Sequence, residues 1–546
     1  MKRRLCGVLV LLGHLVCAGC GGGGGSGGSA NTPSPAPVVV EITPFDAVPG
    51  TRHSEFNAAQ KLVTIRHQGY VDFVFENRSA CSAFATTSWA ARDLSDSELD
   101  AFFEHSLICD FAENQNQDIT VRATRNNGDL YSSTSTVRAG VASGLTRVVQ
   151  DTVVLPSTQV VAAISAYLAQ ELVADLNLPL ALLPILQPTL QNLTASAWPE
   201  LANPLTEFDV QTERVSYTSQ DPSGNTSQDL SGLVAVPRVG TGFVPKDRVI
   251  VLLHSTGVTP SELDPTDAWY LLASVLASRG YVVVAADNWG RGNTAAEPET
   301  YLQGRRTALN TWDLLQAVLS SADYAGLLVA NPNVTAIGYS QGGHSGLAFW
   351  RLVEENADAG VVVDEVYLGG GPYDLYATFN GVVEAVAGTC AGGPYCNLVG
   401  EDVAVPFATE RILPGYFAYL DTALTSGEVV TGNQLSNDFV DGFLANDARF
   451  DRLKLLLQSN SQFQSAAATD NNNTRFVTYH SNFDRLVPVA NQTALVSSLG
   501  ALPIEDRSAV CNTADLQTLF GLTDQVGVIH ALCGIAMIDD VLLSLR

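Results

Sequence analysis

The stretch that decides the fold reads Asn333-Val334-Thr335-Ala336-Ile337-Gly338-Tyr339-Ser340-Gln341-Gly342. Its first half is β-branched and follows the Asn-Pro turn signal at 331–332, so it predicts a buried strand. The residues from Gly343 onward predict a helix that packs closely against that strand. The second half of the quoted stretch, residues 338–342, has the pattern G-x-S-x-G. Between a strand and a helix, this pattern predicts a sharp turn that projects a serine hydroxyl. We therefore predict that Ser340 is a nucleophile; the alternative is a structural turn, because Gly and Ser are common in loops.

The same turn predicts where negative charge is stabilised during a reaction. Small residues at 338, 342 and 343 let the backbone turn and let the helix approach the strand. The backbone N–H after the serine and the helix N-terminus then face a developing oxyanion. The sequence therefore predicts Gln341 as the first donor of an oxyanion hole.

Strand-like and helix-like segments alternate on both sides of this turn, from residue 208 onward. A hairpin opens the pattern, with strands at 214–218 and 233–236. Later segments follow the same periodicities, with strands at 249–253, 281–286, 365–368 and 475–479 and helices at 269–279 and 305–319. Continuous apolar strands separated by helices are typical of a parallel sheet that helices cover on both faces. The predicted fold class is therefore α/β.

Regular alternation pauses between residues 373 and 474, and an insertion of this size after a central strand predicts a cap over the site. Four aromatic residues of the insertion are expected to line an acyl pocket: Phe407, Tyr416, Phe417 and Tyr419. The alternative is that they form an ordinary small helical core.

A serine nucleophile needs a base that takes its proton and an acid that holds the base in the right tautomer. The segment from His480 to Pro488 follows a predicted buried strand and resembles the H-G-x-x-D-x-x-V-P loop of α/β-hydrolases, with Ser481 where Gly is usual. The resemblance places the triad acid on Asp484; a turn-capping aspartate is the alternative. His530 is the only histidine after Asp484 and is therefore predicted to be the general base, in the order serine, acid, histidine.

A second oxyanion donor is expected after the first long parallel strand. The loop there reads His254-Ser255-Thr256-Gly257 and resembles the H-G-x-x oxyanion loop, with Ser255 in place of Gly. The resemblance implies a backbone donor at Thr256, with Ser255 as the alternative, and it makes His254 a residue that shapes the loop.

Residues 208–546 as a whole resemble the α/β-hydrolase superfamily, and within it the secreted bacterial and fungal esterases and lipases with an insertion cap. The resemblance rests on the predicted triad and on motifs at 231–237, 287–292 and 338–343. It implies a mostly parallel central sheet with helices on both faces, a serine hydrolase that cleaves carboxylic esters through an acyl-enzyme, and neither cofactor nor metal. Residues 1–207 lie outside the resemblance.

Two other functions stay open from the sequence. A serine peptidase of the prolyl-oligopeptidase type shares the order of the triad and also carries an N-terminal domain, although residues 45–145 lack the repeating blade pattern of a propeller. A non-catalytic surface protein on a hydrolase fold is the other alternative.

The first twenty residues predict export. A charged start and an apolar stretch at 5–16 end in Cys17-Ala18-Gly19-Cys20, which resembles a bacterial lipoprotein signal and implies lipidation of Cys20. Cys17 stands where that pattern prefers Leu, Val or Ile, so an ordinary secretory signal is the alternative. The expected location is the bacterial outer membrane or cell surface through a lipid anchor, and otherwise the periplasm or the medium.

Three further segments are predicted before the catalytic domain. Residues 21–44 are rich in Gly, Ser and Pro and are expected to be a linker. Residues 45–145 predict a β-rich, sandwich-like module, and 146–207 a helical connecting segment. Apolar residues of that segment recur at helical spacing, at Val160, Val161, Ile164, Leu168, Leu172 and Val173. They predict packing on the catalytic domain, with a lipid-facing or lid element as the alternative.

The cysteines predict disulfides. Of nine, two leave with the signal and Cys20 is expected to be acylated, so six remain. Sequence proximity favours three local pairs over the other possible pairings: Cys81 with Cys109, Cys390 with Cys396, and Cys511 with Cys533. Such pairs suit an oxidising compartment. A bridge between the last two would brace the segment that bears His530.

The charge limits the partners. The formal net charge of −27 repels nucleic acid and anionic lipid, so neither is a predicted partner. The expected partner is a small-molecule or polymeric ester substrate, and membrane contact is expected through the N-terminal lipid alone. The sequence leaves the oligomeric state open.

Overall fold

A computed structural model gives the structure of the chain. The described residues are 39–44, 60–68, 70–76, 81–83, 102–110, 116–125, 130–138, 147–175, 197–222, 226–355, 360–390, 392–396, 405–419, 424–461, 474–499, 502–513 and 528–546. Between 39 and 138 this description covers the backbone. The lipidation site predicted at Cys20 and the linker through residue 38 lie outside the described residues.

Two antiparallel sheets lie in the N-terminal part of the chain. Their strands are β1 (Val39–Pro44), β2 (Gln60–Gln68), β3 (Tyr70–Glu76), β4 (Cys81–Ala83), β5 (Phe102–Asp110), β6 (Asn116–Arg125) and β7 (Leu130–Arg138). One sheet has the order β1-β2-β5-β4 and the other β3-β6-β7. Cys81 and Cys109 are register partners across β4 and β5, and their side chains lie outside the description. The sandwich-like module stays a prediction.

A nine-stranded mixed sheet forms the centre of the part of the chain that follows residue 146. Its strands are β8 (Arg147–Leu155), β9 (Asp209–Gln220), β10 (Thr226–Arg238), β11 (Arg248–Leu253), β12 (Val282–Ala286), β13 (Asn333–Tyr339), β14 (Val363–Gly369), β17 (Arg475–Tyr479) and β18 (Ile504–Asp506). Their order is β18-β17-β14-β13-β11-β12-β10-β9-β8. The six strands from β18 to β12 are parallel to their neighbours, whereas β10 pairs with β12 and β8 pairs with β9 in antiparallel register.

The helices lie mostly between these strands along the chain. They are α1 (Ser157–Asp175), α2 (Pro199–Ala202), α3 (Ala268–Ser278), α4 (Gly304–Leu319), α5 (Gln341–Glu355), α6 (Leu375–Val386), α7 (Leu413–Tyr419), α8 (Ser426–Val429), α9 (Asn437–Leu444), α10 (Asp451–Ser459), α11 (Ala490–Leu499) and α12 (Val528–Ser544). Among the described helices, none combines the length and the apolar character that a membrane span needs.

The central parallel strands β11, β12 and β13 are buried on both faces, which explains their continuous apolar sequences. In β11, Val249 and Val251 join the core cluster that Trp312 and Trp350 of the flanking helices complete, while Ile250 on the opposite face is also 0% exposed. Burying one such side chain contributes about 1.5–3 kcal/mol to folding. The predicted α/β-hydrolase fold, a mostly parallel sheet with helices on both faces, is therefore confirmed.

The register of the sheet gathers four loops at one edge. Leu253 pairs with Gly338, Tyr339 with Gly369, and Gly369 with Tyr479. Because these strands are parallel and end level with one another, the loops that follow β11, β13, β14 and β17 meet at one edge of the sheet. The predicted oxyanion donors Thr256 and Gln341 follow β11 and β13, and the predicted acid Asp484 follows β17, so all three lie at this edge.

The segment between β14 and β17 is a helical insertion with a core of its own. Helices α6, α7, α9 and α10 contribute to it, together with a π-helical turn at Phe407–Ile412 and the two-residue strands β15 (Val430–Thr431) and β16 (Gln434–Leu435). Phe379, Phe439 and Phe443 form the centre of its buried cluster. The interruption predicted between 373 and 474 thus corresponds to this insertion.

The helical prediction for 146–207 is wrong at residues 147–155, where the chain forms the edge strand β8. Four valines lie in this strand, and β-branched side chains favour strands over helices. Pro156 ends the strand, and α1 begins one residue later. In α1 the predicted stripe is buried at Val160 and Ile164; the side chains of its last three members lie outside the description.

Candidate active site

Ser340 sits at the turn between β13 and α5 with a left-handed backbone, at a φ of 58°. Residues other than glycine rarely adopt this conformation, and it costs of order 1–3 kcal/mol. Two backbone bonds hold the turn in place. The Ser340 N–H donates to the Gly369 carbonyl at 2.8 Å, and the Gly343 N–H donates to the Ser340 carbonyl at 2.9 Å. The side chain is half-buried and lines a cavity.

The glycines around Ser340 are required by close backbone contacts. A Cβ at Gly338 would lie 2.0 Å from the Gly342 carbonyl oxygen, and a Cβ at Gly342 would lie 1.9 Å from that of Leu253. A Cβ at Gly343 would lie 2.7 Å from the Gly369 carbonyl oxygen. The helix therefore packs so closely on β11, β13 and β14 that no side chain fits at these three positions.

The structure brings Asp484 and His530 together in a buried pair. His530 Nδ1 lies 2.5 Å from Asp484 Oδ2, although the two residues are 46 positions apart. Asp484 Oδ1 accepts hydrogen bonds from the backbone N–H groups of Leu486 and Val487, both at 2.9 Å. Burial alone would raise the pKa of the Asp484 carboxyl, but the charge and hydrogen bond of His530 and the other donors outweigh it and hold that pKa below its usual range.

The other ring nitrogen of His530, Nε2, is directed away from Asp484. Nε2 is buried and, within the described residues, has no hydrogen-bond partner, Ser340 included. Bonds between a base and its nucleophile are often long until substrate binds. His480 is the other histidine near Asp484, with Nε2 3.7 Å from Oδ2, but this atom already lies 2.9 Å from the Val487 carbonyl oxygen.

Tyr339 links the serine turn to the histidine, a role that the sequence interpretation missed. Its hydroxyl donates to the His530 carbonyl oxygen at 2.6 Å, and its ring lies 5.0 Å from the imidazole, centroid to centroid. Glycines flank this contact, because a Cβ at Gly370 would lie 2.9 Å from His530 Cε1. Tyr339 occupies the variable position before the serine, so only its aromatic character in an otherwise small-residue turn could have drawn attention to it.

The two predicted oxyanion donors lie on neighbouring strand ends. Within the described residues, no hydrogen bond occupies the backbone N–H of Gln341 or that of Thr256. The loop that bears Thr256 is tied to the serine turn, because the Ser255 hydroxyl donates to the Tyr339 carbonyl oxygen at 3.0 Å. The Thr256 hydroxyl is 2.8 Å from that of Tyr301. Both backbone donors are thus available, and their assignment stays a prediction.

His254 shapes this loop from inside the protein. Its Nδ1 lies 2.9 Å from the Ser255 carbonyl oxygen, and its Nε2 lies 3.1 Å from the side-chain amide of Asn288. Complete burial lowers the pKa of the imidazole. A neutral, hydrogen-bonded ring fits the structural role that the sequence predicted.

A largely buried ion pair between Arg291 and Glu299 holds the side chain of Gln341, and no sequence pattern indicated it. Gln341 Nε2 donates to Glu299 Oε1 at 3.0 Å, and the Arg291 guanidinium donates to Glu299 Oε2 at 2.8 Å. Burial raises the pKa of Glu299, but the Arg291 charge outweighs this and lowers the net pKa. The side-chain amide therefore has a fixed anchor, which restrains the residue whose backbone N–H is the first predicted donor.

Two predicted disulfides are present. Cys390 joins Cys396 in the insertion, and Cys511 joins Cys533. Glu384 Oε2 lies 3.4 Å from the Cys396 sulfur. Because both sulfurs of that pair are bonded to each other, this group offers no thiolate to a metal ion.

The second disulfide connects the loop of the acid to the helix of the base. Cys511 precedes Asn512, whose Oδ1 accepts from the Asn482 N–H at 2.8 Å and whose Nδ2 lies 3.2 Å from the His480 carbonyl oxygen. Cys533 lies one helical turn after His530 in α12. The 508–512 turn and the disulfide thus join the two chain segments that hold the Asp484–His530 pair.

Replacing Cys511 and Cys533 with serine should lower kcat/KM by up to about a hundredfold, because a misplacement of about 1 Å in a catalytic group has that effect. The loop that the disulfide closes spans 22 residues, so some loss of stability is expected as well. The matched control is the double serine variant of Cys390 and Cys396, whose bond lies in the insertion. Kinetics should be measured at a temperature where both variants are folded by circular dichroism. Equal losses in both variants would contradict the proposed bracing of His530.

Comparison with known proteins supports the same fold. Residues 250–509 match the model of the alpha/beta hydrolase family. This part of the chain belongs to the α/β-hydrolase superfamily. The matched region includes Ser340 and Asp484 and ends before His530. No curated protein matches the chain.

Solved structures of an esterase and a lipase are similar to the chain at low sequence identity. A ligand-bound form of the rice cell wall degrading esterase LipA from Xanthomonas oryzae has 20% identity and a TM-score of 0.45 over 64% of this chain and 92% of its own. Candida antarctica lipase A in its closed state has 14% identity and a TM-score of 0.36, over 60% of this chain and 86% of its own.

Proposed function

We propose that this α/β-hydrolase is a serine esterase that cleaves carboxylic esters through an acyl-enzyme intermediate. The observation that carries the proposal is the buried Asp484–His530 pair at 2.5 Å, which Tyr339 connects to a serine held at a φ of 58°. A carboxylate bound to Nδ1 fixes the tautomer in which Nε2 can accept a proton, which a general base requires. A serine on a strained turn is the form of nucleophile that this fold uses.

In the proposed reaction, His530 Nε2 takes the proton of the Ser340 hydroxyl as Oγ attacks the ester carbonyl carbon. The carbonyl electron pair moves onto oxygen, where the Gln341 and Thr256 N–H groups stabilise the charge. The intermediate collapses by breaking the bond to the alkoxy oxygen, and His530 gives its proton to the departing alcohol. Water then attacks the acyl-enzyme with His530 again as base, which releases the carboxylic acid and restores Ser340.

We also propose that the protein acts outside the cytoplasm. The two disulfides are consistent with an oxidising compartment, where such bonds persist. Lipidation at Cys20 would then anchor the enzyme to a membrane surface, and mass spectrometry of the N-terminal peptide from the native host tests this.

Purified protein should be labelled by a fluorophosphonate probe at Ser340 and should hydrolyse p-nitrophenyl butyrate far faster than a proline-containing peptide p-nitroanilide. The reason is that the probe reacts with a serine activated by a base, and the ester presents a better leaving group to the same site. The labelled residue is identified by peptide mass spectrometry, and heat-unfolded protein is the control. Comparable peptide cleavage would favour the peptidase, whereas no label and no turnover would favour a non-catalytic surface protein.

A further inference from the structure

Ser340 opens onto a small cavity of about 60 Å³ beneath the helical insertion. Its walls come from the insertion, from the loop after β17 and from the residues before α4. Its lining residues include Tyr301, Thr378, Val382, Phe407, Ala408 and Leu486. Of the four aromatic residues expected in an acyl pocket, only Phe407 is among the described lining residues. Tyr416 is instead fully buried in the core of the insertion, and the Tyr419 hydroxyl bonds to the Pro298 carbonyl oxygen at 2.9 Å.

Among the described lining residues, the hydroxyl groups other than that of Ser340 already have hydrogen-bond partners in the protein. The Tyr301 hydroxyl is already bonded to the Thr256 hydroxyl, and the Thr378 hydroxyl donates to the Asp374 carbonyl oxygen at 2.7 Å. Among the described lining residues, none carries a charge. A sugar or peptide group in this space would lose its hydrogen bonds to water without replacement, which disfavours polar groups. An alkyl chain loses nothing and gains apolar contact.

The position of the cavity relative to the catalytic groups selects the acyl side of the ester. The general acid must reach the oxygen of the departing alcohol, so the alcohol lies toward His530. His530 is absent from the described lining residues, whereas Ser340 is present. Tyr301, which is bonded to the loop of Thr256, forms part of the wall. The cavity therefore extends from the serine away from His530, which is the side that remains for the acyl chain of a bound ester.

Resting on the proposed esterase function, we propose that this cavity is the acyl site and that it selects short aliphatic acyl groups. A site that holds one water occupies about 10–15 Å³ in the same measure, so about 60 Å³ accommodates about four to six groups of methylene size. The preferred substrates are esters of straight-chain acids from about butanoate to hexanoate. The half-buried Phe407 and the small buried Ala408 limit the length of the chain.

The test is a series of p-nitrophenyl esters from acetate to palmitate. For the unaltered protein, kcat/KM should rise about fourfold for each added methylene up to about hexanoate, because each methylene adds buried apolar surface. It should then fall for decanoate and longer esters, which exceed the cavity. A maximum at palmitate, or no dependence on acyl length, would overturn the proposal.

Two substitutions test whether the insertion sets this limit. Phe407→Ala enlarges the cavity and should move the optimum by two or more carbons toward longer chains, with a rise of at least tenfold in the ratio of kcat/KM for decanoate to that for butanoate. Ala408→Val fills the cavity and should move the optimum toward acetate. The matched control is Phe417→Ala, since Phe417 packs half-buried against the same core but does not line the cavity. Unchanged optima in both cavity variants, or equal shifts in the Phe417 variant, would overturn the assignment.

The outcomes separate this proposal from the esterase proposal. If no ester is hydrolysed and Ser340 is not labelled by a fluorophosphonate, the esterase function fails and the acyl site fails with it. If Ser340 is labelled and esters are hydrolysed, the length profile alone decides the acyl site. Folding of each variant is confirmed by its thermal unfolding before kinetics.

Discussion

Replacing Ser340 with alanine is expected to lower kcat on p-nitrophenyl butyrate by about five to six orders of magnitude, the scale found when such a nucleophile is removed. Without Oγ no acyl-enzyme forms, and the Asp484–His530 pair has no proton to accept. Residual hydrolysis would come from the oxyanion donors and from binding alone. The fold should survive, because alanine adopts the strained backbone at φ 58° as serine does.

Two further variants control this experiment. Ser345→Ala is a matched control, since Ser345 lies on the same helix and accepts a bond from the Thr307 hydroxyl at 3.4 Å without facing the cavity. It should keep activity within a few fold. Ser340→Gly should be as inactive as Ser340→Ala but more stable by about 1 kcal/mol or more, because glycine relieves the left-handed strain. Retention of activity in Ser340→Ala would show that another residue is the nucleophile.

The serine turn could be predicted because its geometry is encoded locally. Small residues at 338, 342 and 343 are the direct consequence of contacts between α5 and the backbones of β13, β11 and β14, which allow no Cβ. The parallel strands could be predicted for a similar reason, since burial on both faces requires unbroken apolar runs. Fold class therefore followed from patterns that span fewer than twenty residues.

Other parts of the site depend on contacts between distant segments, and their local sequence does not identify their partners. Tyr339 bonds to a carbonyl 191 positions away, and Glu299 anchors Gln341 from 42 positions away. Asn512 braces the loop of the acid from 30 positions away. Each is a common residue type at an unremarkable position, and only the register of the sheet brings the partners together.

The insertion shows where composition misleads. Four aromatic residues in one segment suggested a pocket, but an insertion needs a core of its own before it can cover a site. Tyr416 is 0% exposed and serves that core, whereas Phe407 lies on the side that faces Ser340. Sequence spacing does not distinguish the face of the insertion that forms its core from the face that lines the cavity. The reason is that the π-helical turn at Phe407–Ile412 shifts the angular positions of the residues that follow it.

Replacing Asp484 with asparagine is expected to lower kcat by about four orders of magnitude. Asparagine can keep the two bonds that Oδ1 accepts from the Leu486 and Val487 N–H groups, so the loop should retain its shape. Its amide group, however, donates where Asp484 Oδ2 accepts. His530 Nδ1 must then accept this bond, which moves the ring proton to Nε2, and the nitrogen that should take the serine proton is blocked.

The matched control is Asp506→Asn, which removes one negative charge at the end of the neighbouring strand, where Asp506 Oδ1 accepts from the Ser508 N–H at 2.9 Å. It should keep activity within a few fold, so a general loss of charge does not explain the effect at Asp484. A large fall in kcat with little change in KM, at an unchanged unfolding temperature, is the expected signature of a wrong tautomer. An Asp484→Asn variant with more than a tenth of the original kcat would mean that His530 acts without its acid.

His480, whose Nε2 lies 3.7 Å from Asp484 Oδ2, should not replace His530 as the base in this variant. Complete burial lowers the pKa of His480, and its Nε2 already contacts the Val487 carbonyl oxygen.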